Sequence, residues 1–214
     1  MKAVIYDMDG VVLNTEVIYT QKWLELGRQR NFKNVESFVD NVRGCGVKES
    51  LELINSYDPD IDAQAYSNDV FAAVDAVAYN YVELMPYLKE SLKFFKDHKF
   101  KIALATSTNR ERVDHYLKMH DIDSYFDVIV CGDEIEKNKP NPDIFLKAMQ
   151  KLNVEAKDTY ILEDSYNGIR AALASKAHPF MVVDQNPVTE EMEEKAEKIF
   201  NNLKEVFQFF TLEA

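Results

Sequence analysis

Cysteine is nearly absent from this chain. There are two in 214 residues, Cys45 and Cys131. They lie far apart and match no metal-ligand spacing, so both read as reduced thiols in a cytoplasmic protein. Glycine and proline are scarce, six of each, and no low-complexity tract or internal repeat interrupts the chain. The four histidines, His98, His115, His120 and His178, show no metal spacing and read as surface residues. Basic residues are also in deficit: 25 Lys and Arg stand against 37 Asp and Glu, a net charge of −12. Nucleic acid and anionic membrane both need basic surface, so neither is an expected partner. No apolar run approaches the ~18 residues of a membrane span. The N-terminus shows no basic-plus-apolar leader. Hydrophobic residues nonetheless make up 46%, enough to bury a core for one large domain or a domain with a sizeable insertion.

The most informative stretch is Lys2 to Asn14, KAVIYDMDGVVLN. Ala3, Val4, Ile5 and Tyr6 form a short apolar run bounded by polar residues, the pattern of a buried parallel strand. It ends in Asp7-Met8-Asp9-Gly10. In open α/β sheets, ligands bind beyond the carboxyl ends of the strands. Two carboxylates placed there repel each other unless a cation or a shared proton relieves them. A hard divalent cation such as Mg²⁺ is the simplest relief. Asp and Gly are also ordinary turn formers, so the rest of the chain must decide.

Residues 17–30 take helical spacing, with Trp23, Leu24 and Gly27 on one side. Residues 34–80 stay helical, with a short helix around Phe38, Val39 and Val42, another around Leu51, Leu53 and Ile54, and a long one from Ser67 to Tyr81. Then the period changes. Residues 87–97 read as a helix opened by Pro86, 100–106 as a strand, 109–120 as a helix and 127–131 as a strand. Pro142 starts a further helix. Residues 159–162 read as a strand, 167–175 as a helix, 180–183 as a strand and 198–200 as a short edge strand, before a last helix through Phe209. Alternation of this kind means βαβ units: an α/β fold with a doubly wound parallel sheet. The expected division is a catalytic core of residues 1–14 and 83–214, with an all-helical cap domain, 15–82, inserted after the first strand.

The strand ends then collect a set. The first ends in Asp7 and Asp9, the second in Thr106 and Ser107, the loop after the third reaches Lys139-Pro140, and the fourth ends in Glu163-Asp164. Two pairs of carboxylates, a hydroxyl and a lysine on one sheet edge suit phosphoryl transfer. Asp133 reads as a helix or turn cap, and Gly168 as a close-packing glycine. Ser107 and Thr108, beside Thr106, leave the hydroxyl uncertain by one position.

Four ordered motifs carry a resemblance: Asp7-Met-Asp9-Gly10-Val11; hydrophobics then Thr106; Lys139-Pro140-x-Pro142-Asp143-Ile144-Phe145; and Leu162-Glu163-Asp164-Ser165-x-x-Gly168-Ile169. Over essentially its whole length the chain resembles the haloacid dehalogenase-like hydrolases, in the helical-cap subgroup and its β-phosphoglucomutase and sugar-phosphate phosphatase branch. The resemblance implies a Rossmann-like core and a Mg²⁺ cofactor. It implies Asp7 as the nucleophile and Asp9 as general acid and then base. Thr106 and Lys139 would contact the phosphoryl group. Asp7, Asp164, the Asp9 carbonyl and Glu163, as ligand or supporting group, would form the metal site. Gly10, Thr15, Tyr19, Arg43, Lys48, Ser107 and Asn109 are the expected substrate contacts. The expected partner is a small phosphorylated metabolite, and the expected state a monomer or weak dimer.

Four functions compete. A phosphomonoesterase and a β-phosphoglucomutase-like isomerase both need Asp9. A dehalogenase or C–P hydrolase does not, and its branch departs from Asp at that position. A dead binding module would not keep every catalytic position filled. Between the first two, the cap matters. The mutase branch grips a second phosphate with an arginine where this chain has Val47, within Val42-Arg43-Gly44-Cys45-Gly46-Val47-Lys48. It also carries a histidine where this chain has Tyr19. Hydrolysis of a small phosphorylated metabolite is therefore the expectation, with the mutase as alternative.

Overall fold

A computed structural model describes residues 1–43, 45 and 47–212. In chain order the elements are β1 (Ala3–Tyr6), α1 (Glu16–Gln29), α2 (Val35–Val42), α3 (Val47–Tyr57), α4 (Ala63–Ala78), α5 (Leu88–Asp97), β2 (Lys101–Ala105), α6 (Arg110–Met119) and β3 (Val128–Val130). They continue with α7 (Asp143–Leu152), β4 (Thr159–Glu163), α8 (Tyr166–Ala174), β5 (His178–Val182), α9 (Glu190–Lys195), β6 (Lys198–Phe200) and α10 (Leu203–Leu212). The chain divides into two compact units: Met1–Leu13 with Leu84–Ala214, and Asn14–Glu83.

The larger unit holds a six-stranded sheet in the order β3-β2-β1-β4-β5-β6, and every neighbouring pair is parallel. The order reverses at β1, which lies between β2 and β4. In an open parallel sheet that reversal opens the ligand crevice at the carboxyl ends. β1 is buried at all four positions, as a strand covered on both faces must be. Its side chains alternate between two cores. Ala3 and Ile5 join Ala103, Ala105, Val130 and Ile161 beneath Ile144, Phe145 and Ala148 of α7 and Ala171 and Ala172 of α8. Tyr6 packs edge-on against Phe95 of α5 and against Phe126. Its buried hydroxyl is satisfied by Ser91 at 2.6 Å. Phe210 of α10 continues that aromatic layer onto Phe95 and Tyr160.

The smaller unit has its own core. Trp23 of α1 sits edge-on to Phe38 of α2 and Tyr66 of α4, and the Tyr66 hydroxyl donates to the Trp23 carbonyl at 2.5 Å. Val39, Ile54 and Val70 fill the space around them. Among the described residues, no helix is long and apolar enough to cross a membrane.

Two boundaries and one helix depart most from the sequence reading. α4 begins at Ala63 rather than Ser67, because the Asp62 carboxylate accepts the Ala65 N–H at 2.9 Å and caps the helix earlier. β5 begins at His178, ahead of Pro179 rather than after it. Proline keeps its carbonyl, and that of Pro179 accepts from Glu197 N–H at 2.8 Å. α9 was not expected; its N-cap is Thr189, whose side chain accepts from Met192 N–H.

His178, expected at the surface, is half-buried at the start of β5 and held there. Nδ1 lies 2.5 Å from Glu197 Oε2, and Nε2 lies 2.8 Å from the Lys157 carbonyl. The ring also stacks on Tyr160. Both nitrogens face acceptors, so only the imidazolium satisfies both. Burial opposes the charge, but the Glu197 carboxylate and the Lys157 carbonyl outweigh it and raise the pKa above its ordinary 6.5. A raised folded-state pKa gives stability that is complete below about 6.5 and is lost as pH rises through the folded value. The melting-temperature advantage of the native protein over His178→Gln should therefore be largest near pH 6 and shrink toward about pH 9. Scanning calorimetry at several pH values checks this; an advantage that grows with pH would contradict the pairing.

Candidate active site

Asp7 is the first residue beyond β1. Its N–H still donates to the Leu162 carbonyl at 2.9 Å, so the strand carries the carboxylate to the sheet edge in fixed register. The chain then turns sharply. The N–H groups of Val12 and Leu13 converge on the Met8 carbonyl at 2.8 and 2.9 Å, and Gly10 N–H donates to the Leu13 carbonyl. Gly10 has φ of 74°. A Cβ there would lie 2.4 Å from Asp164 Oδ2, so both the left-handed backbone and the close approach require glycine.

Lys139, from the loop between β3 and α7, reaches into this edge. Its Nζ donates to Asp7 Oδ1 and to Glu163 Oε1, each at 2.5 Å. It also lies 5.0 Å from the centre of the Phe145 ring. The Lys139–Pro140 peptide bond is cis. Glu163 closes β4, fully buried. Its second oxygen, Oε2, accepts from the Ser165 N–H at 3.0 Å and hydroxyl at 2.9 Å. Asp164 follows, 3% exposed. Carboxylate oxygens of Asp7, Glu163 and Asp164 all lie within 4.8 Å of one another.

Burial is the main cause that pushes the Asp7 carboxyl up, to about 8; Lys139 opposes the rise, while Glu163 and Asp9 add to it. Burial works against the Lys139 ammonium too, but Asp7 and Glu163 outweigh it and hold its pKa above the ordinary lysine value. One buried ammonium thus faces three buried carboxylates. That excess of negative charge, presented by oxygen atoms alone, fits a hard divalent cation.

Thr106, just past β2, is fully buried, and its Oγ1 accepts the Thr108 N–H at 3.1 Å. The Thr108 hydroxyl in turn donates to Asp9 Oδ2 at 3.0 Å. Sequence reasoning offered Thr108 only as an alternative to the Thr106 hydroxyl; the signal was its place two residues beyond Thr106. Ser107 is exposed at the same turn. The Asn109 side chain caps α6 by accepting from Arg112 N–H at 3.0 Å. The Asp133 carboxylate accepts from Arg110 N–H at 3.2 Å at the same helix start. Gly168 packs closely: a Cβ there would lie 1.8 Å from the carboxyl carbon of Glu163.

Thr15, Tyr19, Arg43 and Lys48 belong to the smaller unit. Thr15 is buried. Tyr19 packs edge-on to Phe71, Arg43 pairs with Asp40 at 3.2 Å, and the exposed Lys48 lies 3.9 Å from Glu52. Val47 is 53% exposed. Gly44 and Gly46 of the same stretch lie outside the described residues. Both cysteines are free. Burial foremost pushes Cys45 up to about 11 and Cys131 to about 12, so neither is an activated nucleophile.

The haloacid dehalogenase-like hydrolase family profile matches residues 4–182. The chain belongs to that family. This haloacid dehalogenase-like hydrolase is 31% identical over 173 residues to the phosphorylated carbohydrates phosphatase of Thermotoga maritima, across 80% of each chain. It is 27% identical over 172 residues to the fructose-1-phosphate phosphatase of Escherichia coli, across 80% of this chain and 90% of that one. The crystal structure of β-phosphoglucomutase from Clostridium difficile shares its fold with a TM-score of 0.74 at 20% identity, covering 99% of both chains.

Gly168→Ala tests how tightly this hydrolase packs its fourth motif. The new methyl must displace the Glu163 carboxylate, and overpacking of this kind costs roughly 1–3 kcal/mol. The melting temperature should fall by about 2–10 °C, and turnover should fall with it as Glu163 leaves Lys139. An unchanged melting temperature and unchanged turnover would show that the site does not depend on this packing.

Proposed function

We propose that the protein is a Mg²⁺-dependent phosphatase of small phosphorylated metabolites, sugar phosphates or similar monoesters, acting through an aspartyl-phosphate on Asp7. The observation that carries this reading is the buried Lys139 ammonium bridging Asp7 and Glu163, with Asp164 beside them and Asp9 two residues on. The phosphatase names of two relatives across most of the chain support it.

In the first step an Asp7 carboxylate oxygen attacks phosphorus. The P–O bond to the alcohol breaks, and Asp9 delivers its proton to the leaving oxygen. In the second, Asp9 takes a proton from water, water attacks the phosphorus, and the Asp7–phosphorus bond breaks. Lys139 holds a fixed positive charge against Asp7 throughout, as a compact point charge. Thr106 keeps its hydroxyl proton for a phosphoryl oxygen, since its Oγ1 accepts from Thr108. Glu163 is committed to Lys139 and Ser165, so its part is to fix the lysine and support the metal site. Asp7, Asp164 and the Asp9 carbonyl would hold the cation. When bound, it supplies the positive charge that lets an anionic phosphoryl group approach the carboxylates.

Hydrolysis is preferred over isomerisation because Val47 stands where the mutase branch has its arginine. A buried, charge-assisted grip on a second phosphate is worth roughly 2–5 kcal/mol, or about 30-fold or more in retention of a bisphosphate. Without it, water takes the phosphoryl group.

Asp7→Asn should lower turnover by about a thousandfold or more while the fold persists. Chelation should abolish activity and Mg²⁺ restore it, with Asp164→Ala raising the Mg²⁺ requirement. A screen of hexose phosphates should show free phosphate as product. With β-glucose 1-phosphate and a bisphosphate primer, glucose 6-phosphate should form slowly or not at all. Its formation much faster than phosphate release would make the protein a mutase and turn attention to Arg43 and Lys48.

A further inference from the structure

We propose that Thr108 is a positioning residue for Asp9, fixing the carboxylate that exchanges protons with the leaving group. The proposal rests on the phosphatase reading and extends it to a residue outside the four motifs. Asp9 sits on a turn, half-buried, and the terminal torsion of an aspartate is broad. Left to itself, its carboxylate would sample many orientations. The Thr108 hydroxyl donates to Oδ2 at 3.0 Å, which favours one orientation of that carboxylate.

That donor is itself fixed from both sides. The Thr108 N–H is held by Thr106 Oγ1 at 3.1 Å, and its carbonyl accepts from Gly132 N–H at 3.0 Å. Gly132 must be glycine for this approach, since a Cβ there would lie 2.1 Å from the Ser107 carbonyl oxygen. The β-branched side chain of threonine is stiff about its first torsion. Thr106 therefore serves twice: it belongs to the site directly, and it anchors the residue that aims Asp9.

The experiment compares native protein, Thr108→Val, Thr108→Ser and Asp9→Asn, each checked for melting temperature, with Mg²⁺ present. Two probes are used, glucose 6-phosphate and p-nitrophenyl phosphate. The first has a poor leaving group that needs the proton; the second has a good one that needs it far less. The quantity read is kcat/KM, which covers the steps through the first phosphoryl transfer. Thr108→Val should lose about 10- to 100-fold on glucose 6-phosphate and less than about threefold on p-nitrophenyl phosphate. Thr108→Ser, which keeps the hydroxyl, should recover most of that loss. Equal losses on both probes, no loss, or a serine variant as impaired as the valine variant would overturn the proposal. The Asp9→Asn control separates the two levels. If it loses selectively on glucose 6-phosphate while Thr108→Val does not, only the role of Thr108 falls. If Asp9→Asn leaves both probes unaffected, the acid role of Asp9 falls and the proposal with it.

Discussion

A single lysine ammonium, buried among three carboxylates, sets the terms for the rest of this structure. An ion pair out of water is stable only if its geometry is good and its remaining polar atoms are satisfied. Here the conditions are met piece by piece. Asp7 is held in ladder register by Leu162. Glu163 is held by Ser165 on one oxygen and Lys139 on the other. Glycines at 10 and 168 leave room for Asp164 and Glu163 to come close. Local sequence puts Asp7, Lys139, Glu163 and Asp164 at strand ends or in a loop but does not set the distances between them. They meet because β1 and β4 are neighbours where the strand order reverses, and because the loop before α7 returns to that edge.

Much of this was legible in the sequence, for identifiable reasons. Buried parallel strands are short apolar runs, so β1, β2 and β4 announced themselves. The motifs stood at strand ends, where a parallel sheet exposes them. What escaped was information stored in hydrogen bonds between distant residues. His178 looked like a surface histidine because Glu197 and the Lys157 carbonyl lie far away in the chain. Strand β5 was cut short at Pro179 because proline lowers strand propensity, although its carbonyl still joins the ladder. Helix α9 is a short run of four glutamates and one lysine around one buried residue, Met192, too little for apolar periodicity to mark.

Thr108 is the most instructive case. A threonine two places after a strand end has no compositional signature. Its meaning comes from three contacts, with Thr106, Gly132 and Asp9, and each partner comes from a different segment of the sheet edge. Sequence patterns reveal which residues can do chemistry; the hydrogen bonds that orient them become visible only when the strands are side by side.

The way the chain leaves and re-enters the sheet unit has an evolutionary consequence. Leu13 and Leu84 form an antiparallel bridge, and Met85 N–H donates to the Val12 carbonyl at 2.9 Å. The two crossings therefore lie side by side. Closing a loop between adjacent ends costs entropy that grows only with the logarithm of its length. The sheet is thus nearly indifferent to how many residues run between Leu13 and Leu84, provided they fold. Asn14–Glu83, with its own core around Trp23 and Tyr66, meets that condition. An ancestral gene could lengthen, shorten or exchange this segment without disturbing the packing of the sheet.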